Sequence, residues 1–193
     1  MKDAIKFLVG FLFLTFVDLP LYLIYKLLFL SNIKCFTSIS EFISLFPGYI
    51  GYFIRKGFYF LTINSGRNFD VGFGTILQYP SIRIGNDVYM GQNCNIAKCS
   101  IRDGVKIGSS VHIVNKRTHS INDSGDIMPT NIKDLERVRI GDKSWIGNCA
   151  VVLADVGRNC VIGAGSVVVK PIPDNCVAAG NPAKVIRERS YTN

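Results

Sequence analysis

The sequence predicts an all-β fold, a parallel β-helix solenoid, preceded by hydrophobic N-terminal helices. Two observations predict it. The first is a six-residue beat in which an aliphatic residue is followed by a small one: Ile84-Gly85, Met90-Gly91, Ile96-Ala97, Ile107-Gly108, Ile140-Gly141, Ile146-Gly147 and Ile162-Gly163. A period of six matches neither a lone helix nor a hairpin, but it suits triangular coils made of three short strands each. The aliphatic residue then points inward onto its counterpart in the next coil, and the small one leaves room at the corner. The second is compositional: residues 7–30 are almost entirely Leu, Phe, Ile, Val and Tyr, interrupted by Asp18, Pro20 and Lys26.

Residues 1–62 read as a helical region associated with a membrane. A signal peptide needs a small-residue cleavage site after its apolar core, and Val17-Asp18-Leu19-Pro20 offers none. A single span needs about 20 consecutive apolar residues. Asp18 and Pro20 fall near the middle of any such stretch here, where a charge is costly and a proline kinks the helix. The expectation is therefore two short helices in a re-entrant or interfacial hairpin, with packing on the solenoid or on a partner subunit as the alternative. A second apolar stretch, 41–61, is broken at Pro47-Gly48. Its aromatics beside Arg55 and Lys56 suit a helix at a lipid surface, or a cap over the open end of the solenoid, whose strand edges need cover.

The solenoid is expected over 63–189. Its first coil is read at about 68–76, and Leu77, Ile84, Met90, Ile96, Ile101, Ile107 and Ile113 follow at intervals of five to seven residues. The beat then stops until Ile140. The excursion 114–139 contains His119, Asn122, Asp123, Asp126, Pro129 and Glu136, and long loops inside a compact repeat are usually functional. Between Val152 and Ile162 the chain is two residues short of two hexads, so one corner must be cut, with an effect on any groove near 155–158.

A net charge of +8 suits a phosphate-bearing partner such as coenzyme A or anionic lipid. Nucleic acid is disfavoured: the cations are scattered and the aromatics lie apart from them. Six cysteines without a CxxC pair argue against zinc and for reduced thiols in a cytosolic domain. No metal is expected, since two histidines seven residues apart do not supply the three imidazoles of a solenoid-type zinc hydratase.

Past the excursion the chain reads IGDKSWIGNCAV from Ile140, IGAGSVVVK from Ile162 and AAGNPAKVIR from Ala178. Together with the repeat and the histidine-bearing loop, these residues resemble the hexapeptide-repeat acyltransferases, in the branch of maltose and thiogalactoside acetyltransferases. They are nearest to the O-acetyltransferases of bacterial surface-polysaccharide clusters, several of which carry hydrophobic N-terminal segments. The resemblance covers about residues 68–189. It implies a left-handed parallel β-helix assembled as a homotrimer, with active sites in the clefts between subunits. It also implies acetyl-CoA as co-substrate and transfer to a sugar hydroxyl, with a lipid-linked or surface-polysaccharide precursor as acceptor. The expected location is the cytoplasmic side of the bacterial inner membrane.

By the same resemblance His119 matches the catalytic histidine, a general base for the acceptor hydroxyl. His112, inside the beat, is read as an outward structural residue. The family's acceptor-binding asparagine falls here on Gly91, a departure that leaves Asn93 as the candidate for holding the acceptor, with an ordinary turn role as the alternative. Trp145 matches the tryptophan bordering the cleft. Asn148, Ala164 and Gly165 match positions along the thioester and pantetheine arm, and Lys170, Lys184 and Arg187 match basic positions near the adenosine phosphates. Val169 stands where a threonine is common. Two other readings remain: an N-acetyltransferase of a nucleotide-linked amino sugar, and a non-catalytic solenoid scaffold anchored to a membrane.

Overall fold

In the computed structural model, residues 2–29, 33–115, 119–121, 124–129, 131 and 135–189 are described. The inward aliphatic positions do build a parallel β-solenoid of three faces. Face A holds β1 (Asn64–Ser65), β4 (Arg83–Ile84), β7 (Cys99–Ile101) and β12 (Val138–Ile140). Face B holds β2 (Phe69–Val71), β5 (Val88–Met90), β8 (Lys106–Ile107), β13 (Trp145–Ile146), β15 (Val161–Ile162) and β17 (Cys176–Ala179), closed by the antiparallel β18 (Lys184–Glu188). Face C holds β3 (Ile76–Leu77), β6 (Asn95–Ile96), β9 (His112–Ile113), β14 (Val151–Val152) and β16 (Val167–Val168).

Register explains the beat. On face B, Met90 pairs with Ile107, Ile107 with Ile146 and Ile146 with Ile162, all of them buried. On face C the column runs Leu77, Ile96, Ile113, Val152 and Val168. Stacking aliphatics coil on coil removes nearly all of each side chain from water, which is the main stabilising term of such a prism. The small residue after each aliphatic answers to the next coil. A Cβ on Gly108 would lie 2.2 Å from Asn148 Oδ1 and 2.7 Å from its backbone nitrogen. The left-handed backbone of the corners comes two residues later, at Asn93, Ser110, Cys149 and Asn159.

Three boundaries differ from expectation. The first coil starts earlier, at β1, because Ser65 occupies the inward position opposite Ile84 and hides the beat. The excursion rejoins face A at Val138 instead of Ile140. The shortened coil loses its face A strand: single bridges join Ile140 to Val156 and Val156 to Ile172, so the cut falls at the C-to-A edge.

The N-terminus overturns the expected helical hairpin. Helix α1 (Lys2–Phe13) runs through a π-helical turn (Leu14–Asp18) into α2 (Leu19–Phe29) without a break. The wide turn, closed by the Leu19 N–H on Leu14 O, takes up an extra residue just before Pro20 and absorbs the proline within one helix. Residues Leu8–Leu27 are long and apolar enough to cross a membrane by length and composition, with a mean hydropathy of 2.0. Asp18, which would burden such a helix, is 1% exposed and lies against Gly57, where any Cβ would strike its carboxyl.

Helices α3 (Ile33–Ser44) and α4 (Gly48–Thr62) cap the first coil. The reading of Arg55 and Lys56 as lipid-facing cations is overturned. Arg55 is 3% exposed and donates from Nε to Val71 O of the open coil end at 3.0 Å and from Nη1 to Phe46 O, between α3 and α4, at 2.7 Å, because both carbonyls need donors. Lys56 pairs with Asp70 at 3.4 Å and donates to Tyr52 Oη. Ser40 joins the layers, sharing a 2.6 Å hydrogen bond with Tyr59 and accepting one from Leu77 N. The core runs unbroken from Tyr25 and Phe36 through Phe58 into the solenoid columns.

Candidate active site

The corners of the solenoid carry ladders in which a side chain from one coil accepts from a backbone N–H of the preceding coil. At the B-to-C corner Ser109 Oγ accepts from Gln92 N at 3.2 Å, and Asn148 Oδ1 accepts from Ser109 N at 2.9 Å. The next rung is Ala164, which has no acceptor to offer. Among the described residues the backbone N–H groups of Asn148 and Ala164 are left without an acceptor. Gly165 follows with φ +67°, its N–H donating to Asn148 O, and nothing lies within 4 Å of where its Cβ would be. This corner offers open donors, no bulk and solvent access.

Trp145 stands outward on face B, 56% exposed, in register with Lys106 and Val161. Packing among the described residues therefore does not account for it. Tyr89 lies one strand further along the same column. Lys184 and Arg187 are exposed on β18, which closes face B, and Lys170 is exposed just beyond β16. Asn93 takes φ +56° at its corner, a conformation asparagine tolerates better than most residues, and donates its N–H to Phe73 O. His112 points outward on face C between Asn95 and Val151.

The excursion leaves at the C-to-A corner. Its backbone forms the antiparallel hairpin β10 (His119–Ile121) and β11 (Ile127–Pro129), in which His119 lies opposite Pro129. The side chain of His119 lies outside the described residues, as do Asn122 and Asp123. The mouth of the loop is stapled by residues that sequence reasoning missed. Asn115, 3% exposed, accepts from Lys98 N at 3.0 Å and donates at 2.7 Å to both Lys98 O and Glu136 O. Lys98 Nζ donates to Leu135 O, and Arg137 Nη1 donates to Ser81 O and Cys99 O. One buried amide thus holds both ends of the excursion, four residues before His119. In a single chain the candidates sit at opposite edges of face C: His119 at the C-to-A edge, and the Asn148, Ala164 and Gly165 corner at the other. The cut in the shortened coil is on the His119 side.

A repeat solenoid with a stapled loop and an open-donor corner defines a class, the three-faced parallel β-helix proteins. Sequence relatives narrow it. Over 67% of this chain and 74% of its own length, the putative lipopolysaccharide biosynthesis O-acetyl transferase WbbJ of Escherichia coli K12 is 31% identical. Galactoside O-acetyltransferase of Escherichia coli K12 is 36% identical over 65% of this chain and 54% of its own. A solved galactoside acetyltransferase in complex with coenzyme A superposes with a TM-score of 0.59 at 26% identity, covering 83% of this chain and 84% of its own. The chain belongs to the hexapeptide-repeat acetyltransferases. No family model matches it. It spans 54–64% of the length of several curated relatives that it matches.

Proposed function

We propose that the protein is an acetyl-CoA-dependent O-acetyltransferase that esterifies a sugar hydroxyl, with a lipid-linked or surface-polysaccharide precursor as acceptor. The observation that carries this reading is the interrupted corner ladder. The free N–H groups of Asn148 and Ala164, with Gly165 beyond and exposed Trp145 beside, suit an amide-rich arm and a thioester carbonyl. A galactoside acetyltransferase related to the chain is solved with coenzyme A, and WbbJ bears the name of an O-acetyl transferase. Lys170, Lys184 and Arg187 are the candidates for the phosphates.

The chemistry needs few groups. His119 Nε2 or Nδ1 takes the proton of the acceptor hydroxyl as its oxygen attacks the thioester carbonyl carbon, and a backbone N–H of the corner stabilises the oxyanion. The C–S bond then breaks, the imidazolium returns its proton to the departing thiolate, and the acetyl ester and free thiol remain. No acetyl-enzyme forms. Because the base and the corner lie on opposite edges of face C, the reading calls for a homotrimer in which one chain's excursion faces a neighbour's corner. The apolar face of the N-terminal helix, with Leu8, Phe11, Leu12, Phe16, Leu23 and Leu27 exposed, argues for attachment to the cytoplasmic face of the membrane. The helix packs on α4 along its length, which favours lying in the interface over crossing it.

The test uses radiolabelled acetyl-CoA with membranes containing the full-length protein. Alkali-labile label in the glycan fraction is expected from wild type, falling about 10²- to 10⁴-fold in His119→Ala. Alkali-stable label would identify an amide, and hence an amino sugar as acceptor. Equal transfer by His119→Ala would sink the assignment of the base.

A further inference from the structure

The joint between the N-terminal helix and α4 holds a cavity of about 790 Å³ that the transferase chemistry does not use. Its wall is mainly apolar, with Gly10, Phe11 and Leu14 on one side and Tyr49, Phe53 and Phe60 on the other. That volume is within the range of sites that enclose small ligands. Three charged side chains also line it: Asp18, Lys56 and Arg67. Asp18 is the anomaly. It is 1% exposed, yet among the described residues neither carboxyl oxygen has a hydrogen-bond partner. Lys56 does not supply one, being held by Tyr52 and Asp70, and the neighbour on α4 is Gly57, which has no side chain. Buried carboxyls are otherwise paired, so the geometry asks for a donor brought by a ligand.

The occupant must combine a long apolar portion, a cationic donor for Asp18 and an anion for Lys56 and Arg67. We infer that the groove binds an aminophospholipid drawn from the membrane, its hydrocarbon chain along Leu14, Phe53 and Phe60, its ammonium on Asp18 and its phosphate toward Lys56 and Arg67. The apolar surface is continuous from the exposed stripe of the helix to the groove: Phe11 lines the cavity and is 56% exposed, beside exposed Leu8 and Leu12. Opposite charges on neighbouring atoms of one head group match opposite charges on neighbouring parts of one wall. The inference takes from the proposed function only the membrane attachment, and stands apart from the transferase reaction.

Native mass spectrometry of the full-length protein in mild detergent tests it, with phosphatidylethanolamine, phosphatidylglycerol and phosphatidylcholine added separately. One phosphatidylethanolamine should be retained per chain, about tenfold more tightly than phosphatidylcholine, whose quaternary ammonium has no N–H. Leu14→Trp, which fills the groove, should abolish the adduct. Asp18→Asn keeps the shape and should weaken it about tenfold, a readout that holds even if Leu14→Trp folds poorly. The inference fails if the adduct is absent, if Asp18→Asn leaves it unchanged, or if the other lipids bind as well. It fails equally if Leu14→Trp, without lipid, dissolves a chain–chain contact, since the groove would then hold a second copy. Acetyl-CoA turnover measured in the same preparations separates this outcome from failure of the transferase reading.

Discussion

Ala164 removes one rung from the corner ladder: it leaves the Asn148 N–H without the side-chain acceptor that Gln92 N and Ser109 N have on the two preceding coils, and the Ala164 N–H is likewise without an acceptor among the described residues. Restoring the rung should close the site. In Ala164→Asn the amide oxygen would cap Asn148 N as Asn148 caps Ser109, raising the KM for acetyl-CoA about tenfold, the equivalent of one hydrogen bond of about 1.4 kcal/mol. Steady-state kinetics with varied acetyl-CoA checks this, and an unchanged KM would mean the corner does not hold the co-substrate. Asp18 makes a second prediction at this scale. Burial raises its pKa to about 7 from the ordinary carboxyl value of 3.8. The folded chain then keeps a proton that the unfolded chain releases, so stability is full below about pH 4 and declines as pH rises toward 7. In lipid-free protein, Asp18→Asn should therefore melt progressively higher than wild type between these limits, and by a constant margin above them. Thermal scans across the range would show a flat difference if the carboxyl were solvated.

At the scale of elements, the excursion is a loop with fixed ends. Asn115 makes three hydrogen bonds to Lys98 and Glu136 backbone from a buried position, and Arg137 ties the exit to Ser81 and Cys99. On the proposed role of His119 as base, such a staple matters because a misplacement of about 1 Å can cost about 10²-fold in rate. Asn115→Ala is expected to lower kcat by roughly tenfold or more while leaving the KM for acetyl-CoA near wild type, since the corner proposed to hold the co-substrate is on the other edge of face C. An Asn115→Asp variant keeps the acceptor for Lys98 N but turns a carboxylate oxygen against the Lys98 and Glu136 carbonyls in a buried position, and should fall at least as far. A kcat unchanged in Asn115→Ala would mean that the loop is positioned from elsewhere. The N-terminal helix is an element of a different kind, one face packed on α4 and the other left bare.

For the whole molecule, the solenoid is a rigid prism plugged at one end by α3 and α4, and the plug carries the apolar helix on its outer side. One continuous core joins these parts, so the helix is held by the same packing that caps the first coil. Among the described residues its outward stripe has no partner: Phe16 is 73% exposed and Leu23 56%. The double variant Phe16→Glu, Leu23→Glu should leave the melting temperature within a few degrees, because neither side chain is packed, yet remove most vesicle binding. Flotation with anionic vesicles checks it. Binding that survives the charges would assign membrane contact to another surface.

The beat Ile84, Met90, Ile96, Ile107, Ile140, Ile146, Ile162 was sufficient to read the solenoid, because a period of six is local and each hexad repeats the same demand for one inward aliphatic and one small corner residue. The excursion was legible for the same reason, as a place where that demand lapses. The first coil was not, since Ser65 stands where an aliphatic belongs. Arg55 and the Asp18–Pro20 interruption were misread because charge and proline argue for solvent and for a helix break only until a neighbour is known. Carbonyls of the first coil and of the α3–α4 connection take up Arg55, a π turn absorbs Pro20, and Gly57 makes room for Asp18. The open donors at Asn148 and Ala164 were latent in the order Ser109, Asn148, Ala164, but only the register of successive coils reveals that these residues are neighbours. Periodic packing is written along the chain; which polar groups meet, and which are left open for a ligand, depends on contacts between distant coils and is decided by the tertiary structure.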